Sequence, residues 1–340
     1  MDERGHNPFW KAIGYCGPDP IAINAHLSSK PLEGSVIDAS ALSADEFDSV
    51  LETHRYKLSE PLAIASLAGT QSCSQDHGIE CDVVIVGSGS GGGVAAAVLA
   101  KAGFKVIVLE KGRYMAREDL TLLEGPSFRD LYDEGGMLST DDSNVIILAG
   151  STVGGGTAVN WSASFRTPEH VLRGWEESFG LHLFTTSRYR DAMDQVCKRL
   201  GVQDEIQNEN LQNTVLRKGC DALGYHVANI PRNSTAEHYC GWCCYGCRRG
   251  VKNATSETWL VDAANYGAII LSRCSAQRIL HAPSNDARKG RKSVGVVAKI
   301  GHSDNRRQLF IKARATIVAS GALRTPPLLR NSGLKNSSHW

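Results

Sequence analysis

Three glycine-rich turns and one cysteine cluster hold the residue types best suited to chemistry in this 340-residue chain. The first turn reads Gly87-Ser88-Gly89-Ser90-Gly91-Gly92. Its Gly87-x-Gly89-x-x-Gly92 spacing fits a turn that offers backbone amides to a pyrophosphate. Gly87 permits a tight exit from a strand, Gly89 removes a side chain that would block the phosphates, and Gly92 lets a helix pack close. Amides and dipole at that helix N-terminus favour the anion. Glu110 closes the next strand, where its carboxylate can accept from a ribose 2′-hydroxyl and repel a 2′-phosphate. The turn follows the apolar run Asp82–Val86, opens the small-residue run Val94–Ala100, and is answered by Val106–Leu109. Strand, glycine turn, helix and strand make one βαβ unit, which lifts the fingerprint above chance and predicts a bound dinucleotide.

Cys240, Cys243, Cys244 and Cys247 give C-x2-C-C-x2-C, a set of thiols that could bind zinc or an iron–sulfur centre. Zinc sites usually separate their two cysteine pairs by a longer loop, and here the pairs abut. The alternative is a cysteine-rich turn packed beside the site, and no metal ligand is assigned. None of the eleven histidines stands in a recognisable motif with a partner; most lie in surface-type segments, so no catalytic base is assigned either.

Around these motifs, a Ser43/Glu46 capping box starts a helix that carries Phe47, Val50, Leu51 and His54 at helical spacing. The rest of residues 1–80 reads as irregular, with a linker from Ser66 to His77. Residues 168–200 read as largely helical with Trp175, Phe179 and Met193 in the core, and Leu211–Leu223 as a helix stopped by Gly224. Ala268–Arg273, Gln277–His281, Val294–Ile300 and Gln308–Ile311 read as strands, and Ala315–Ala319 as a last buried strand. Lys plus Arg total 37 against 36 Asp plus Glu, which gives no basis for a nucleic-acid partner. No apolar run reaches membrane-spanning length, so the segment reads as soluble and intracellular.

The second turn, Gly150-Ser151-Thr152-Val153-Gly154-Gly155-Gly156-Thr157-Ala158-Val159-Asn160, resembles the first signature of the glucose–methanol–choline (GMC) oxidoreductases. The third, from Gly321-Ala322-Leu323-Arg324-Thr325-Pro326 to Ser332-Gly333-Leu334, resembles their second. Asn7–Tyr15, Leu123–Ser127, Val215–Cys220, the cysteine cluster and Thr258–Ala263 are similar to the plant-type long-chain alcohol oxidases of that family. The resemblance implies an α/β fold: a Rossmann-like FAD-binding domain of GMC type with partial substrate-domain insertions. It implies FAD as the cofactor, held by Gly87, Ser88, Gly89, Ser90, Gly91, Gly92, Glu110, Gly150, Thr152, Gly154, Gly155, Asn160, Ala276, Ser320 and Gly321, with adenine near Ser275-Ala276. The expected organisation is an N-terminal segment (1–80), a first FAD-binding part (81–165), a helical insertion with the cysteine cluster (166–267), a second FAD-binding part (268–335) and a tail unlike the family (336–340).

The family resemblance also implies oxidation of a long-chain primary alcohol to the aldehyde, with O2 reduced to hydrogen peroxide. The family's catalytic histidine pair lies beyond the second signature, and this chain ends at Trp340. The expectation is therefore a chain that binds FAD with little or no turnover. Family members associate with membranes through segments that this sequence is expected to lack.

Overall fold

The computed structural model describes residues 32, 34–67, 76–238, 241–282, 291–301 and 307–334. The Asn7–Tyr15 motif, Cys240, His302 and the 336–340 tail lie outside them.

The strands are β1 (Val36–Asp38), β2 (Lys57–Leu58), β3 (His77–Val86), β4 (Val106–Leu109), β5 (Leu138–Ser139), β6 (Ile146–Ile147), β7 (Ile269–Ser272), β8 (Cys274–His281), β9 (Ser293–Ile300) and β10 (Arg307–Val318). The helices are α1 (Ala44–Thr53), α2 (Pro61–Leu67), α3 (Ser90–Lys101), α4 (Glu124–Leu131), α5 (Gly156–Val159), α6 (Glu169–Phe179), α7 (Ser187–Arg199), α8 (Leu211–Leu223), α9 (Trp259–Asn265) and α10 (Gly321–Asn331). Among the described residues one sheet runs β1-β7-β4-β3-β10-β9-β8, with β2 also against β3. The five strands from β1 to β10 are mutually parallel, and β9 and β8 continue antiparallel.

Strand periodicity splits β3 and β4 between two cores. Val84, Val86, Ile107 and Leu109 pack on one face with Phe47 and Leu51 of α1. Val83, Ile85, Val106 and Val108 pack on the other with Ala96, Ala97 and Ala100 of α3 and Leu260 of α9. Burial on both faces is why these strands read as unbroken apolar runs. The alanines of α3 let that helix lie close to the sheet. The capping box of α1 forms as expected: Ser43 Oγ accepts from Glu46 N, and a Glu46 carboxylate oxygen accepts from Ser43 N at 2.8 Å.

Several elements depart from the sequence reading. Phe179, expected in the core, is 72% exposed on α6, whose one buried side chain is Leu172. β3 begins at His77 rather than Asp82, because His77–Cys81 pairs with β10. Gln308–Ile311 and Ala315–Val318 belong to the one strand β10, Ala319 lies just past its end, and the last part of the strand is not fully buried. β1, β2 and α2 occupy stretches read as irregular. His77 and His238, taken as surface residues, are buried; His77 Nδ1 lies 3.0 Å from Asp48 Oδ1. No described helix is long and apolar enough to cross a membrane.

Candidate cofactor-binding site

β4, β3 and β10 end at one edge, where Leu109, Val86 and Val318 stand in register. Each strand then releases a functional turn. Gly87 leaves β3 with φ +102°, and a side chain there would meet the Ala319 carbonyl oxygen at 2.4 Å, so this turn requires glycine. Glu110 leaves β4, and Ser320-Gly321 leaves β10. The loop after Gly150 folds over the first turn until Gly89 and Gly155 face each other backbone to backbone; a Cβ on Gly155 would sit 3.0 Å from Gly89 Cα.

These turns bound one cleft of about 640 Å3, in the size range of cofactor sites. Of the residues expected at the cofactor, Gly87, Gly89, Ser90, Gly91 and Glu110 line it from the first unit. Gly150, Gly155, Ala276, Ser320 and Gly321 line it from the distant segments. Ser88, Gly92, Thr152 and Gly154 stand behind the lining. Ser88 Oγ donates to Glu110 Oε2 at 2.6 Å and accepts from Gly154 N at 2.9 Å, so it joins the first turn to the second. Thr152 is buried and donates to Arg113 O at 2.8 Å. Asn160 is exposed and outside the cleft lining; its carbonyl accepts from Lys252 Nζ at 2.7 Å.

Glu110 is 6% exposed, and its partners all donate: Ser88 N at 3.1 Å, Ser88 Oγ at 2.6 Å and Gly112 N at 3.0 Å. Burial pushes its carboxyl pKa up, and these donors pull it back only in part. The geometry still demands an acceptor at both oxygens. Glu110→Gln would turn an amide NH2 toward backbone N–H groups and leave one buried donor unsatisfied. The expected result is a loss of about 1–2 kcal/mol in denaturant unfolding of the flavin-free protein; an unchanged midpoint would show that the Ser88 and Gly112 contacts contribute nothing.

Two positioning residues escaped the sequence reading. Thr255 is buried, donates from Oγ1 to Ser88 O at 3.1 Å and gives its N–H to Thr157 Oγ1 at 3.0 Å, tying both glycine turns together. Lys252 is fully buried and donates to the carbonyls of Ala158, Asn160 and Cys243 at 2.9, 2.7 and 3.2 Å. It lies in a polar run, Arg248–Asn253, that carries no sign of burial. Lys252 also docks the cysteine turn, Cys243–Tyr245, against the second glycine loop. There Cys243 Sγ lies 3.4 Å from His238 Nε2, both residues buried. Among the described residues no group of three His, Cys, Asp or Glu is placed to hold a metal. Lys111, Asp133 and Arg324 also line the cleft and were not foreseen.

The glycine-rich stretches of the wall leave room for a flat, extended dinucleotide, and sequence comparison agrees. Residues 128–339 match the GMC oxidoreductase family, and residues 82–117 match the FAD binding domain. The chain belongs to the GMC oxidoreductase family, and the cofactor of this fold is FAD. Within that family it is similar to the plant enzymes that act on long-chain alcohols. Long-chain-alcohol oxidase FAO4A of Arabidopsis thaliana is 46% identical over 99% of this chain and 47% of its own length. FAO3 of the same plant is 45% identical over 99% of this chain and 44% of its own length. The chain spans about half the length of the curated relatives it matches. A formate oxidase structure from Aspergillus oryzae covers 75% of this chain and 48% of its own with a TM-score of 0.52 at 19% identity, a likeness of fold alone.

Proposed function

We propose that the cleft holds FAD, with adenosine between Glu110 and Ala276, diphosphate over the Gly87–Gly92 turn, and the isoalloxazine end toward the Gly150–Asn160 loop. The observation that carries this is the convergence of Gly89, Gly155, Ala276 and Gly321, from widely separated segments, on one cleft. A Cβ on Gly89 or Gly155 would narrow that cleft. The proposed organisation follows: residues 81–165 and 268–335 build most of the FAD-binding domain and 166–267 form an insertion, while β1, β2 and α1 from residues 1–80 join the same sheet and core. In support, β3 and β4 share a sheet with β7–β10.

The proposed reaction of the protein that contains this chain is oxidation of a long-chain primary alcohol to the aldehyde, with O2 as acceptor and hydrogen peroxide as product. Bound FAD supplies the two-electron acceptor. What this chain's residues do is orient that group through the glycine turns, Ser88 and Thr255. Similarity to the two Arabidopsis oxidases supports the substrate class. The full-length protein that contains this chain is expected to carry flavin absorbance, and to release peroxide with dodecanol or hexadecanol but not with a short-chain sugar alcohol. A flavin-loaded protein inert toward both alcohols would overturn the reaction and leave the cofactor assignment standing. A colourless protein that does not take up added FAD would overturn both.

A further inference from the structure

The glycine turns offer neutral amides, yet the cleft also carries a set of charges that they do not explain. Lys111 follows β4, and Arg324 lies in the first turn of α10 after β10; β3 and its glycine turn run between those two strands. Asp133 joins the cations across that turn. Its Oδ1 lies 2.5 Å from Lys111 Nζ and its Oδ2 2.7 Å from Arg324 Nε. Arg324 Nη2 reaches Glu134 Oε1 at 3.1 Å. The Asp133 side chain is 8% exposed, whereas Lys111 and Arg324 are 31% and 43% exposed.

Local backbone holds the carboxylates in place. Glu134, Gly135 and Gly136 have φ of +48°, +63° and +74°, three left-handed residues in succession. A non-glycine residue there is strained, and such strain concentrates at ligand sites. Burial pushes the Asp133 carboxyl up, but the Arg324 and Lys111 hydrogen bonds outweigh it and hold it below the usual carboxylate range, so it remains an anchor for both cations.

The charged residues lining the cleft are Glu110, Asp133, Glu134, Lys111 and Arg324. Without the two cations the charged lining would be wholly acidic, which opposes a phosphorylated ligand. The N-terminus of α3 has no side-chain cap, so its first amides also need an acceptor. We propose that Lys111 and Arg324 bind the cofactor's diphosphate and that Asp133 is the positioning residue that aims both at it. This rests on the FAD reading above. Two cations flank the amides, offset the cleft's carboxylates and offer charged donors that the neutral amides lack.

The test uses the full flavin-free chain titrated with FAD, ADP and adenosine, the last lacking any phosphate. Lys111→Met and Arg324→Gln are each expected to weaken FAD and ADP about tenfold and to leave adenosine unchanged. Both side chains are partly exposed, so the variants should fold. In the unaltered protein, rising salt is expected to weaken ADP binding and spare adenosine, and Arg324→Lys should recover part of the loss. ADP affinity unchanged in both variants, with FAD still bound by the unaltered chain, would overturn the inference and spare the cofactor reading. An unaltered chain that binds neither FAD nor ADP would overturn both.

Discussion

Gly89→Val is expected to yield a folded protein without flavin. Gly89 caps α3 at φ −68° and ψ −159°, an extended conformation open to any L-residue, so valine adds no backbone strain. A Cβ at this position meets only Gly155 Cα, at 3.9 Å, an ordinary contact. Because Gly89 lines the cleft, the added methyls are expected to narrow it and not to enter the core. For the empty protein the cost should stay within about 0.5 kcal/mol, as for substitutions that disturb no packing. For the loaded protein the methyls occupy the space assigned to the diphosphate, whose approach to the amides is what binds it. Loss of that contact is expected to weaken FAD by at least roughly a hundredfold, about 2.7 kcal/mol. The measurement is flavin-to-protein ratio after purification, beside a thermal melt of the flavin-free form. A ratio equal to the unaltered protein's would place the cofactor elsewhere.

Sequence exposed the βαβ unit because its physics is local. β3 and β4 are buried on both faces, so Val83–Val86 and Val106–Leu109 show no polar break, and the turn between them announces itself by glycine. The helix Leu211–Leu223 was equally plain, since Asn210 caps its start and left-handed Gly224 its end. Long-range pairing hid the remainder. His77–Cys81 has no strand pattern of its own and is strand because β10 and β2 pair with it. β10 read as two pieces because Lys312 and Arg314 interrupt the apolar run. Both charges turn outward, to Glu80 at 3.1 Å and Asp82 at 3.2 Å on the neighbouring strand. Lys252 and Asp133 show the same limit at the site. Each is a buried charge with partners far away in sequence, Ala158 and Asn160 for Lys252 and Lys111 and Arg324 for Asp133, so no local window reveals it.

Gly92→Ala, three positions along the same motif, is expected to fail for the opposite reason. A Cβ on Gly92 would sit 1.8 Å from Gly87 O and 2.9 Å from Gly87 C. Both are backbone atoms, and neither can rotate away as a side-chain end could. Gly87 is itself held, since its N–H donates to Leu109 O at 2.8 Å and its Cα side faces the Ala319 carbonyl. Relief would require α3 to move off the sheet, which separates Ala96, Ala97 and Ala100 from Val83 and Ile85. Overpacking of this kind costs about 3 kcal/mol or more, a large part of a typical domain's stability of about 5–15 kcal/mol. In a chain of this size that is a fall in Tm on the order of 4–5 °C. Flavin would be lost too, but as a consequence of unfolding, and a stabilising osmolyte should restore part of it. No osmolyte should rescue Gly89→Val, because that variant is already folded. The two glycines thus separate the cleft's shape from the fold's integrity: Gly89 faces the cleft and Gly92 faces the chain. If both variants melted like the unaltered protein, the close packing of α3 on its turn would be wrong.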